Sequence, residues 1–139
     1  YYILNENKAH LLYELPENQL GLILAINWFE FRPIKIIKKY LESMMQVLRP
    51  GGVIIFSYNN CDYPKAIDKV SELRYCYTTG TQVKDLCTQL GYNILASHNK
   101  GYDELDSPIS WLEIEKPGKR NTIRKSETMG LIKQLGVNE

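Results

Sequence analysis

Apolar and polar positions along this chain follow two periods, and the change from one to the other comes near residue 50. Ile34, Ile37, Leu41, Met44, Met45 and Leu48 recur at helical spacing, while Lys35, Lys38, Lys39, Glu42, Ser43 and Gln46 occupy the other face. The pattern predicts an amphipathic helix of about 15 residues laid on a sheet. Pro50 cannot join the helical ladder, and Gly51-Gly52 lets the chain take positive φ as it turns. Val53 to Ser57 then reads as an apolar strand, and Leu22 to Ile26 reads as a second one upstream. Continuous apolar runs of this kind suit parallel strands buried on both faces. Strand, loop, helix, turn, strand is a right-handed β-α-β unit.

The pattern continues downstream. Asp62-Tyr63-Pro64 places a proline at a helix start, followed by Ile67, Val70 and Leu73 on one face. Thr79 and Gln82 have the spacing of a capping box, and Val83, Leu86, Cys87 and Leu90 form the stripe of a further helix. Gly91 stands where a helix ends. Tyr92 to Ser97 and Ile109 to Glu115 read as strands, the second with Leu112 and Ile114 on one side and Ile109 and Trp111 on the other. The loop between them is rich in Gly, Asp and Ser and favours an antiparallel pair. Lys8 to Tyr13 is expected to be one more strand.

The word Leu48-Arg49-Pro50-Gly51-Gly52, set between that helix and that strand, resembles the signature of class I S-adenosylmethionine-dependent methyltransferases. The resemblance covers about Leu20 to Lys116 and rests on the order of elements as well as the word. It implies an α/β, Rossmann-like sheet of which this chain holds the C-terminal part: parallel strands, helices on the faces, and a last strand inserted antiparallel between its neighbours. There are departures. Gly21 stands where the family often has Asp, and Glu30 or Phe31 where it often has His. Asn27-Trp28-Phe29-Glu30 is not the Asp/Asn-Pro-Pro-Tyr/Phe word of the DNA amino-methyltransferases. No G-x-G-x-x-G occurs either, although the family holds its cofactor with a Gly-rich loop after the first strand and an acid ending the second. Tyr1 to Gln19 is too short for three more strands, since one crossover takes roughly 30 residues. The expectation is therefore a fragment: residues 1–118 as the later portion of a methyltransferase domain, and residues 119–139 as a tail.

Open α/β sheets bind ligands at the carboxyl ends of their strands. By resemblance, Ile26, Asn27 and Trp28 then border the cofactor S-adenosylmethionine, with Asn27 and Glu30 as catalytic candidates and Phe29, Tyr58 and Asn59 facing the methyl acceptor. Asn27 would orient a reactant and Glu30 would serve as a base if the acceptor must lose a proton. Trp28, Phe29 and Tyr58 offer an aromatic wall for a cationic sulfonium. Each has a plainer reading: aromatics after a strand commonly pack, Glu30 is also a fitting first-turn helix charge, and Asn59-Asn60 is ordinary turn chemistry.

Composition narrows the classes less than the pattern does. A net charge of +1 over 139 residues supplies no electrostatic reason to expect nucleic acid or a membrane surface. Without an 18-residue apolar run or a signal peptide, a cytoplasmic location is the default. Cys61, Cys76 and Cys87 are odd in number and lack paired spacing, and with only His10 and His98 beside them no metal site is expected. Cys87 falls on a helix stripe and is expected in the core. The tail carries Lys119, Arg120, Arg124, Lys125 and Lys133 with a thin stripe of Met129, Ile132 and Leu135, which fits either an amphipathic helix or an irregular extension. The methyl acceptor is unidentified, and the open sheet offers a route to self-association. A non-catalytic Rossmann-like interaction module is the alternative.

Overall fold

The computed structural model describes residues 4–99 and 109–118. The stretch expected as a tail, 119–139, and the loop before Ile109 lie outside the described residues. Strand β1 spans Leu20–Ala25, and helix α1 spans Ile34–Val47 after a single 3₁₀ turn at Phe29–Phe31. Strand β2 follows without a break over Leu48–Asn59. Helices α2 (Pro64–Glu72) and α3 (Gly80–Gln89) precede β3 (Asn93–His98) and β4 (Ile109–Glu115).

The four strands make one sheet in the order β1-β2-β4-β3. β1 and β2 run parallel, and β4 is antiparallel to both of its neighbours, β2 and β3. β4, the last strand among the described residues, therefore lies inside the sheet, as the resemblance implied.

The helix-to-strand turn is built from small residues for two different reasons. Gly51 has φ 79°, a conformation that favours glycine. Gly52 is instead crowded: a Cβ there would lie 2.8 Å from the Arg49 carbonyl oxygen and 2.9 Å from that of Leu20. Between the pairs Leu20↔Leu48 and Leu22↔Val53, β1 advances two residues while β2 advances five, so the excess chain of the turn is accommodated there. Lys116 fastens this corner. Its Nζ donates to the carbonyls of Met45 and Leu48 at 2.7 and 2.9 Å and to Asn18 Oδ1 at 2.8 Å. A cation thus answers the free carbonyls at the end of α1.

One face of the sheet carries the core. Ile54, Phe56, Tyr58, Leu112 and Ile114 are buried there with Ile37 and Leu41 of α1 and Val83 and Cys87 of α3. Phe29 packs edge-on to Phe56 with ring centres 5.2 Å apart. Thr79 and Gln82 form the capping box of α3, each bond 3.1 Å long.

Two expectations are corrected. Lys8 to Tyr13 forms bends and turns, not a strand. Its backbone bonds go elsewhere: Leu11 N–H donates to Ser43 Oγ at 3.0 Å, so the segment lies on α1 and not beside β1. For the same reason the buried face of α1 is wider than its apolar stripe. Tyr40 and Ser43 are buried as well, and Glu6 Oε1 accepts from Tyr40 and from Arg32, both at 2.7 Å.

Candidate functional site

The carboxyl ends of β1 and β2 lie side by side, because Ala25 pairs with Phe56. The chain leaves β1 at Ile26 and bends at once. Asn27 adopts φ 52°, and its N–H donates to Ser57 Oγ at 2.9 Å. Asn tolerates left-handed backbone better than most residues, which explains its use at this bend. Ile26, Asn27 and Trp28 are all exposed.

Trp28 is less free than its position suggests. The Arg32 guanidinium stacks on its ring at 3.6 Å, and Arg32 Nη1 donates to the Trp28 carbonyl at 2.8 Å. Tyr40 meets the indole edge-on, with ring centres 6.0 Å apart. One face of the indole already serves a cation of the chain itself.

Phe29 and Tyr58 point into the core under α1, with essentially no exposed surface. Here their rings serve packing. Asn59 is buried as well, and its Nδ2 donates to the Ala66 carbonyl at 3.0 Å, which ties the end of β2 to α2. Asn60 acts as turn chemistry predicts: its Oδ1 accepts from Asp62 N–H at 3.0 Å and from Gly80 N–H at 2.7 Å.

Glu30 is the unusual member, an acid with 1% of its surface exposed. No hydrogen bond of good geometry reaches either carboxyl oxygen among the described residues. Burial pushes its pKa up, while the neighbouring Ser57 hydroxyl draws it the other way. Residues 75–78 lie over it, with Cys76 N–H donating to the Glu30 carbonyl and Cys61 N–H to the Thr78 carbonyl, both at 2.8 Å. The thiols are not activated. Burial raises the pKa of Cys61, Cys76 and Cys87, the last to about 12.

The structure therefore brings Ile26, Asn27 and Trp28 together on an open lip, while Phe29, Glu30, Tyr58 and Asn59 lie beneath the surface. Sequence reasoning missed Ser57, Arg32 and the covering segment. Ser57 did leave a signal, as the hydroxyl closing an apolar run. Among the described residues no helix is long and apolar enough to cross a membrane, and no group of three or more His, Cys, Asp or Glu residues could hold a metal ion.

Comparison with known proteins bears on the fold. No known family's sequence profile matches the chain, and no curated protein matches it. Solved structures do. An S-adenosylmethionine-dependent methyltransferase from Mesorhizobium loti superposes with a TM-score of 0.62 at 15% identity, over 83% of this chain and 68% of that one. One from Methanosarcina mazei gives 0.62 at 9% identity, over 85% and 67%. A third, from Leishmania major, gives 0.56 at 17% identity, over 79% and 42%. The fold is that of the class I methyltransferases. The chain matches only part of it, spanning less than half of the Leishmania protein's length and about two thirds of the other two.

Proposed function

We propose that this chain supplies one side of an S-adenosylmethionine-dependent methyl-transfer site, the side formed by the ends of β1 and β2. The supporting observation is the exposed lip Ile26-Asn27-Trp28 at the carboxyl end of a parallel strand in this fold. When bound, S-adenosylmethionine supplies a methyl group on a sulfonium, ready for in-line displacement. The residues present fit one side of such a group only. Ile26 offers an apolar contact, Asn27 a carboxamide held by a fixed turn, and Trp28 the exposed part of its ring. No G-x-G-x-x-G occurs in the chain, so in this reading the other side of the site is supplied from outside it.

Methyl transfer depends mainly on positioning, so an amide with a fixed backbone suits the task better than a strong acid or base. Asn27 is the residue placed to orient cofactor or acceptor. Glu30 has the elevated pKa useful in a base, yet residues 75–78 cover it. In our reading it acts from beneath the site, and Tyr58, Phe29 and Asn59 shape the site from within the core.

Isothermal titration of S-adenosylmethionine and S-adenosylhomocysteine into the 139-residue chain tests the divided site. Weak binding, at best millimolar, is expected. Micromolar affinity would mean that the chain completes the site alone and would sink the one-sided reading. The alternative, a non-catalytic interaction module, draws its support from exposed Leu22 and Leu24 on a strand that is at the edge of the sheet among the described residues. Complete indifference to both compounds, with a stable oligomer in solution, would favour it.

A further inference from the structure

Residues ahead of β1 reach the lip through a single carboxylate. Glu6 is held by α1 at two points: Lys39 Nζ donates to its carbonyl, and the Tyr40 hydroxyl donates to its Oε1 at 2.7 Å. The same Oε1 accepts from Arg32 Nε, also at 2.7 Å, across 26 residues of sequence. One anchored oxygen therefore takes two donors. A guanidinium is planar, so holding its Nε edge also sets the direction in which its face looks.

That face lies on Trp28. The guanidinium carbon is 3.6 Å from the centre of the indole ring, and Arg32 Nη1 donates to the Trp28 carbonyl at 2.8 Å. Trp28 and Arg32 flank the 3₁₀ turn, so Arg32 grips Trp28 by ring and backbone across it. Tyr40 joins both ends of the network, with its hydroxyl on Glu6 and its ring edge-on to the indole. Magnitudes separate what these contacts do. The Arg32 and Glu6 side chains are 19% and 38% exposed, and ion pairs that open to water contribute little to global stability. Their effect on orientation is larger, because an indole that is 37% exposed would otherwise sample several side-chain rotamers.

We propose that Glu6 is a positioning residue for the candidate site: through Arg32 it sets the indole of Trp28 and leaves the outer part of that ring for a ligand. The proposal rests on the methyl-transfer reading, which puts Trp28 on the cofactor, and it brings residues before β1 into that site. Glu6 acts through Arg32 and not on the ligand. Its charge has a second consequence. A cationic sulfonium arriving at the indole meets a guanidinium already neutralised by a carboxylate, whereas without Glu6 it would meet a bare like charge.

The test reads side-chain resonances of the ligand-free 139-residue chain, namely Arg32 Nε–H and the indole N–H of Trp28, with Trp111 of β4 as internal control. In the wild type the Arg32 resonance is expected to be visible, protected by its bond to the carboxylate, and displaced by the ring current of Trp28. Glu6→Ala is expected to erase it and to move the Trp28 indole while Trp111 stays in place. Glu6→Gln keeps an acceptor oxygen without the charge and is expected to restore part of both signals. A Trp28 indole identical in wild type and Glu6→Ala overturns the proposal, as does a Trp111 that moves as far as Trp28. Should Glu6→Ala fail to fold, Glu6→Gln decides: a moved Trp28 beside an unmoved Trp111 supports the proposal, and an unmoved Trp28 overturns it. Adding S-adenosylmethionine or S-adenosylhomocysteine to the same samples separates the two readings. Ligand shifts at Trp28 are expected to weaken in Glu6→Ala, and more for the cationic S-adenosylmethionine than for the neutral thioether; equal ligand shifts in wild type and Glu6→Ala would overturn the proposal. A wild-type lip that ignores both compounds, while Glu6→Ala still moves the indole, would remove the methyl-transfer reading and leave the hold of Glu6 on Trp28 standing.

Discussion

The two faces of the sheet are written in nearly the same alphabet and meet different fates. On one, Ile54, Phe56, Tyr58, Leu112 and Ile114 are each 0% exposed. On the other, Leu22 and Leu24 of β1 remain 55% and 56% exposed, beside half-buried Val53 and Ile55. The difference lies in what covers them. α1 and α3 close the first face, whereas on the second only the upper end is sealed, where α2 and residues 75–78 bury Ser57 and Asn59. Parallel strands are composed for two covers, and the described residues bring one and a part. β1 is also an edge strand among the described residues, with no charge or proline in Leu20–Ala25 to guard it. Covering Leu22, Leu24 and Ile26 fully would stabilise the assembly by about 2–5 kcal/mol before ordering costs.

The sharpest contrast is between paired truncations. Phe56→Ala should cost about 3–5 kcal/mol, because its ring packs against Phe29 and Tyr58 in a closed core. Leu24→Ala should cost under about 1 kcal/mol. Urea unfolding measures both, and similar losses would mean that the second face is covered in solution.

Self-association comes next. Replacing Leu22 and Leu24 by lysine should lower the mass of the chain by light scattering, since charges on an edge strand oppose pairing. An unchanged mass would remove the open face from the account.

The smallest and most local effect concerns Glu30. Its carboxyl is held above the ordinary value in the folded state, so the native chain binds more protons than the unfolded one in the interval between the two pKa values. Stability should therefore fall as pH rises from the unfolded value of 4.5 through the folded one, with the full loss present above it. Glu30→Gln should flatten that fall and stabilise the neutral chain by about 1–3 kcal/mol. Thermal melts across pH read both, and an unchanged slope would place the titration elsewhere.

Much of the fold was legible because local chemistry and global topology agree in it. Helix α1 ends within a residue of its apolar stripe, and Pro64 opens α2. The capping box of α3 forms with Thr79 and Gln82, and β4 alternates as its residues alternate. What failed was decided by tertiary partners. Lys8 to Tyr13 has strand-like composition, but Ser43 and Tyr40 on α1 offer its neighbourhood better hydrogen bonds than the edge of β1 does. The site was legible as a place and less so as a list of surfaces. A strand end locates Ile26, Asn27 and Trp28, whereas the depth of Phe29, Glu30, Tyr58 and Asn59 depends on α1, α2 and residues 75–78, which no local pattern specifies. Ser57 passed unnoticed because a serine at a strand end is unremarkable until Asn27 turns left-handed beside it.

The central claim is that the lip at the end of β1 is the part of this chain that meets the cofactor. A titration of S-adenosylhomocysteine into the isotopically labelled chain, read by amide resonances, tests it residue by residue even when affinity is weak. The account expects progressive shifts at Ile26, Asn27 and Trp28, reduced in Asn27→Ala, with Asn93 to His98 unmoved. Saturating shifts elsewhere on the sheet, or none at those three residues at millimolar ligand, would contradict it.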